Sequence, residues 1–194
     1  MNGVRQVVLL DSNAYFRLGN SIRPLLQQPF GSSPQYSLYV LAELDNEYAS
    51  SIRLRNKFEW LNELEYRNDR RVKRYVLRGK DAKDAATAFS FLRAYADEHE
   101  INVSPEDLKA LAAGFVKGLP IVTDDGGMVQ VADANGIECW SAVKLLRIME
   151  TVGRINMAKV VEILEYWQYE NDLPAPLHRL RLLFKEYFGQ DCPI

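Results

Sequence analysis

Val7-Val8-Leu9-Leu10-Asp11-Ser12-Asn13 runs from four consecutive apolar residues straight into three polar ones. An apolar run without polar alternation is the pattern of a strand buried on both faces, since a half-exposed strand would carry a polar side chain at every second position. Two later stretches repeat the plan. Leu119 to Val122 is closed by Thr123-Asp124-Asp125, and Gly136 to Trp140 leads into Ser141 and a new helical pattern. Between them, Ser104 to Lys117 and Gly126 to Asn135 carry helical periodicity or helical composition. Strands that alternate with helices predict a parallel sheet covered on its faces, a three-layer α/β/α domain.

The same reading extends into the middle of the chain. Tyr36 to Val40 is a short strand candidate, and Leu41, Leu44 and Tyr48 then fall at helical spacing, so the chain turns from strand to helix near Val40. Gln27 to Pro34, with two prolines, a glycine and two serines, is a loop. Val72 to Leu77 fits either an edge strand or a basic helix end, and Asp81 to Glu98 is an Ala-rich helix. Towards the C-terminus, Met149 to Trp167 reads as one helix, Pro174 and Pro176 break it, and Leu177 to Phe188 forms another. A chain of 194 residues suits one compact domain with an appendage, here residues 1–148 followed by a helical C-terminal extension over 149–194. Leu180, Leu183, Phe184 and Tyr187 share one face of the last helix. That face must cover the domain or a second subunit, and a homodimer is the expectation.

Composition narrows the chemistry. At 47% hydrophobic and 26% charged the chain is an ordinary globular one, which excludes collagen-like and wholly disordered readings. No apolar run approaches the length of a membrane span, and Met1 to Leu10 lacks the features of a secretory signal, so a cytoplasmic protein without a membrane partner is expected. The net charge of -2 means that any polyanion site is a local patch. Cys139 and Cys192 match no metal-knuckle spacing, and His99 and His178 are too few for a histidine-rich zinc site or most histidine-activated nucleophiles. Catalysis by this chain would run on carboxylates.

The carboxylates fall where an open parallel sheet binds ligands, at the carboxyl ends of its strands. Asp11 follows the first strand, and Asp124 and Asp125 follow a later one. Asp107 opens the helix that feeds that later strand, and Glu43 lies in the first turn of the helix after Val40, with Asp45 and Glu47 as neighbours able to take its place. Gathered acids repel and are costly to desolvate, so a cluster of three or four calls for a cation, and oxygen-only ligands select Mg²⁺ or Mn²⁺. Such ions serve phosphodiester hydrolysis by neutralising developing charge and activating water. Each acid also has an ordinary structural use. Asp11 can cap a turn, Ser104-Pro105-Glu106-Asp107 has the form of a helix start, and Thr123 or Asp124 can cap the following helix.

In order and spacing, Val7 to Asn13, Leu41-Ala42-Glu43-Leu44, Asp107 with Ala110 to Ala113, and Ile121-Val122-Thr123-Asp124-Asp125 resemble the PIN-domain nucleases over about residues 4 to 145. The resemblance implies a parallel sheet flanked by helices, an acidic Mg²⁺ or Mn²⁺ site and an endoribonuclease acting on single-stranded or structured RNA. It matches Asp11, Glu43, Asp107 and Asp125 to the four family acids, Thr123 to the family threonine and Asn13 to the small polar residue that supports the first acid. Asp124 is an extra carboxylate able to substitute for Asp125 as ligand. Gly126, Gly127 and Met128 stand where many members carry an aromatic residue. Many domains of this family are toxins of toxin and antitoxin pairs, so an antitoxin protein is an implied partner beside RNA. The rival reading is a degenerate PIN-like scaffold that binds RNA or a protein without cutting.

From Arg67 to Lys83 the chain carries eight Lys and Arg residues against two Asp, with Tyr66 and Tyr75 within or beside the run. Arg70, Arg71, Lys73, Arg74 and Arg78 are the candidate RNA-binding residues, with tyrosine faces available to stack on bases. A solvated basic face is the plain alternative. Other enzyme classes lack their parts: an aspartyl phosphatase wants a second Asp where Asn13 stands, and no Gly-rich nucleotide loop is present.

Overall fold

The computed structural model describes residues 5–194. Four strands, β1 (Arg5–Leu10), β2 (Gln35–Val40), β3 (Ile121–Val122) and β4 (Cys139–Trp140), form one sheet in the order β2-β1-β3-β4. Every pairing is parallel. Leu10 stands opposite Val40 on one side and Val122 on the other, and Val122 stands opposite Trp140, so the four carboxyl ends finish level. The helices are α1 (Ser12–Gly19), α2 (Glu43–Ser50), α3 (Ile52–Lys57), α4 (Leu64–Val72), α5 (Gly79–Glu98), α6 (Pro105–Lys117), α7 (Gly126–Ala134), α8 (Ala142–Thr151), α9 (Met157–Tyr169) and α10 (Leu177–Phe188).

The unbroken apolar run of β1 is buried on both sides of the sheet. Val8 and Leu10 pack into a cluster with Phe16 of α1, Leu146 of α8, Leu164 of α9 and Phe184 of α10. Leu9, pointing the other way, packs with Leu92 of α5, Leu108 and Leu111 of α6 and Val131 of α7. Helices on both faces of a parallel sheet make the three layers the sequence predicts.

The C-terminal region departs from its sequence reading in two respects. The single helix expected over Met149 to Trp167 is two, because Gly153 takes a left-handed φ of +72°, the Arg154 amide turns back to the Met149 carbonyl, and Asn156 caps α9 through the Lys159 amide at 2.9 Å. A helical pattern on both sides of the break concealed it. Position 148/149, where an extension was expected to begin, falls inside α8, and Leu180 and Phe184 of α10 are fully buried in the same cluster as Val8. The apolar face of α10 therefore covers the chain's own sheet layer and leaves no need for a second subunit. Val72 to Leu77 combines both readings given to it: α4 ends at Val72, and Arg74 then makes one parallel bridge to Val40. No helix among the described residues is long and apolar enough to cross a membrane.

Candidate functional site

The connection after β1 runs to β2 and the connection after β3 runs to β4, in opposite directions across the sheet, which opens a crevice between the carboxyl ends of β1 and β3. Asp11 sits at the end of β1 and the Thr123-Asp124-Asp125 turn at the end of β3. Asp11 also caps α1, accepting the Ala14 amide on Oδ1. Its other oxygen, Oδ2, is buried without a hydrogen-bond partner. An unpaired carboxylate oxygen out of water is costly. Burial accordingly pushes the Asp11 carboxyl up to about 7, against the opposing influence of the Thr123 hydroxyl and the Ala14 amide, and with Asp124 and Asp107 adding repulsion.

Beside Asp11 lies a small cavity of about 20 Å³, enough for one water-sized occupant, lined by Asp11, Ser12, Glu43, Glu106 and Asp107 among others. Asp107 is placed by the start of α6. Ser104 caps the helix through the Asp107 amide at 3.1 Å, and its hydroxyl donates to the Asp107 carboxylate at 2.7 Å. Burial raises the Asp107 carboxyl above its ordinary range against that hydroxyl, and the Asp125 charge raises it further. The structural roles foreseen for Asp11 as a cap and for Asp107 in a helix start are thus real, and both residues line the cavity while performing them.

Glu43, in the first turn of α2, reaches the same cavity and is paired with Lys109 of α6 at 3.7 Å. Glu47 stands one helical turn further on the same face. It is half-buried, and burial raises its carboxyl despite a hydrogen bond from Ser12, with Asp107 and Glu106 repelling it. Asp45 points elsewhere, to Arg70 and Arg74. Glu47, one of the two neighbours expected to be able to replace Glu43, thus joins the crevice beside it, and Glu106 and Ser12 join without having been selected from the sequence.

The adjacent acids after β3 part company. Asp124 is nearly enclosed, paired with Arg17 at 3.4 Å and accepting the Ala142 amide at 3.1 Å. Burial still lifts it to about 6. Asp125 caps α7 by accepting the Met128 amide at 2.8 Å, and its own amide donates to the Thr123 hydroxyl at 3.1 Å. Thr123 therefore shapes the turn that presents Asp125. Asn13 is exposed in the first turn of α1. Gly127 is required sterically: a Cβ there would collide with the Asn102 backbone, while a Cβ at Gly126 would meet nothing. This close approach seats the first turn of α7 against the segment leading into α6, and so brings Asp125 towards Asp107.

Among the described residues, no three His, Cys, Asp or Glu side chains form a ready-made metal-binding group. The acids are instead held by protein donors: Glu43 by Lys109, Asp107 by Ser104, Asp125 by the Met128 amide. The donor chemistry is nevertheless that of an oxygen-liganded divalent cation, with an orphaned carboxylate oxygen beside a cavity of single-ion size.

The basic stretch is rearranged most by folding. Arg70, 5% exposed, is ion-paired with Asp45 at 2.8 Å and donates to the Tyr66 and Leu61 carbonyls, so it is not available to a nucleic acid. Arg74 shares Asp45 at 2.5 Å, and Lys73 lies over the Tyr39 ring. Arg71 and Arg78 remain exposed.

No family model matches the chain, and no curated protein matches it. Among solved structures, the crystal structure of FitAcB from Neisseria gonorrhoeae is similar, at 17% identity over 70% of this chain and 97% of that chain, with a TM-score of 0.44.

Proposed function

We propose that the protein is a divalent-metal-dependent nuclease that hydrolyses phosphodiester bonds of RNA in the crevice between β1 and β3. The observation that carries this reading is the buried, unpartnered Oδ2 of Asp11 beside a one-ion cavity whose other acids are Glu43, Glu106 and Asp107. Asp11 and Asp107 would hold Mg²⁺ or Mn²⁺, with Asp125 completing the set from the α7 cap. Such an ion, when bound, would supply charge neutralisation at the phosphoryl oxygens and acidification of water. Glu43, if released from Lys109, would orient the attacking water, and Lys109 would then be free to face the phosphate. Asp124 keeps its place on Arg17 and takes no part as ligand. In this reading water is the nucleophile and no covalent intermediate forms.

A second reading, a scaffold that binds RNA or a protein partner without cutting, draws on the Glu43–Lys109 pair, which neutralises one acid within the protein. Incubating single-stranded RNA with wild type and with Asp11→Asn, in Mg²⁺, in Mn²⁺ and in chelator, separates the two. The nuclease reading expects cleavage by wild type in metal alone and none by the variant. A scaffold cleaves under no condition. An antitoxin-like protein partner is the corresponding proposal for regulation, and co-purification from the native host with RNA cleavage assayed before and after its removal tests it.

A further inference from the structure

A second cavity adjoins the first turn of α1. Ser12 lines the acidic cavity, and Asn13, the next residue, lines a polar one of about 230 Å³ together with Arg17, Arg53, Lys57 and Asp172. Three cations meet one carboxylate there. Asp172, from the segment between α9 and α10, accepts from Lys57 Nζ at 3.2 Å and lies 3.7 Å from Arg17 Nε, which also donates to the Asp172 carbonyl at 3.2 Å. Arg17 is further fixed by Asp124, and its carbonyl accepts the indole N–H of Trp167 at 3.2 Å. Arg53, exposed at the start of α3, makes no ion pair among the described residues.

The arrangement is therefore a fixed guanidinium and a half-neutralised ammonium with one uncompensated arginine at the mouth. It lies one residue along the chain from the acidic cavity. We propose that the cavity bounded by Asn13, Arg17, Arg53 and Lys57 is a backbone-phosphate subsite that leads a single-stranded RNA to the acids at Asp11. The inference rests on the nuclease reading and adds the direction in which the strand leaves the crevice. Two features favour it over the basic stretch from Arg67 to Lys83. There, Arg70 is buried and Arg74 shares a carboxylate with it, whereas Arg53 makes no ion pair among the described residues and lines a cavity that Asn13, next to Ser12 of the acidic cavity, also lines. The subsite also gives the C-terminal helices a place in the function, because Asp172 positions Arg17 and Lys57.

Fluorescence anisotropy of a short labelled single-stranded RNA, read in chelator so that nothing is cut, tests the assignment. Arg53→Glu/Lys57→Glu is expected to weaken binding at least tenfold and to lower the slope of log affinity against log salt by about two, one per lost phosphate contact. Arg71→Glu/Arg78→Glu should change the slope less. Because Lys57 also pairs with Asp172, Arg53→Glu alone, which breaks no ion pair, must show about half the slope change, and Arg53→Lys must restore it. If wild type binds RNA and the double variant binds with the same slope, the subsite is overturned and the nuclease reading stands. If wild type binds no RNA in low salt, the nuclease reading fails and the subsite falls with it.

Discussion

Arg17 holds Asp124 at 3.4 Å, and that pairing divides the labour between two adjacent acids. Asp124 accepts from Arg17 and the Ala142 amide, whereas Asp125 is turned towards α7 and raises the carboxyl of Asp107. Sequence alone left either of them as ligand.

The division predicts opposite outcomes for two isosteric changes. Asp125→Asn should lower metal-dependent RNA cleavage by 10²-fold or more, about 3 kcal/mol of lost transition-state stabilisation. Asp124→Asn should keep cleavage within a few-fold of wild type. Initial rates in saturating Mg²⁺ decide it, and the reverse ranking would move the ligand to Asp124.

Asp11 sets a pH dependence in chelator. Its carboxyl titrates near 7 in the folded protein and near 3.8 unfolded, so between those values the native state holds a proton that the unfolded chain has lost, and stability falls as pH rises. Asp124, lifted to about 6, contributes with the same sign over a narrower window. Asp11→Asn cannot ionise. It should melt higher than wild type at about pH 8, by on the order of 2–4 kcal/mol, and its stability should fall less steeply from about pH 5 upward. Equal slopes for the two proteins would remove the burial argument.

Gly127 predicts a contrast with its neighbour. Gly127→Ala pushes a methyl into the Asn102 backbone, which cannot give way like a side-chain end, and should cost about 1–3 kcal/mol in urea unfolding along with much of the cleavage rate. Gly126→Ala meets nothing and should be near neutral or slightly stabilising. Similar losses for both would show that helix geometry in general is at stake.

Much of this was legible in the chain. A strand buried on both faces is the one element that periodicity identifies from a few residues, and Val7 to Leu10 placed β1, hence Asp11, and with the later runs the parallel sheet. The cap at Ser104 was legible for the same reason, being local, whereas the cap of α7, expected at Thr123 or Asp124, falls on Asp125, whose amide Thr123 holds. What escaped depends on partners distant in sequence. Nothing near Arg70 shows that Asp45, twenty-five residues earlier, will receive it, or that the Tyr66 and Leu61 carbonyls will complete its hydrogen bonds. Glu106 looked like an ordinary first-turn acid because its cavity is built by β1 and α2. Gly153 was overlooked because a single glycine between two helical patterns does not declare its φ.

Arg70 therefore behaves as a core residue. Arg70→Ala leaves Asp45 with Arg74 only and two carbonyls without their donor, and should destabilise the fold by about 2–4 kcal/mol. Arg71→Ala, at an exposed position, should stay within about 0.5 kcal/mol. Denaturant midpoints at constant slope provide the comparison.

The helices after α8 are predicted to be indispensable to the fold. Phe184→Ala empties a fully buried site against the sheet layer and should cost about 3–5 kcal/mol, and a chain ending after Asp172 should aggregate or lose its cooperative melt. A truncated chain that melts like wild type would restore a separable extension.

The claim on which the rest depends is that Asp11 and Asp107 hold a divalent cation at the carboxyl end of β1. Anomalous diffraction from a crystal soaked in Mn²⁺ measures it directly. The account predicts a manganese peak within ligand distance, about 2.0–2.3 Å, of a carboxylate oxygen of each of the two residues, with Glu43 drawn off Lys109. A soaked crystal with no peak in the crevice, or with manganese only on exposed acids elsewhere, would contradict it.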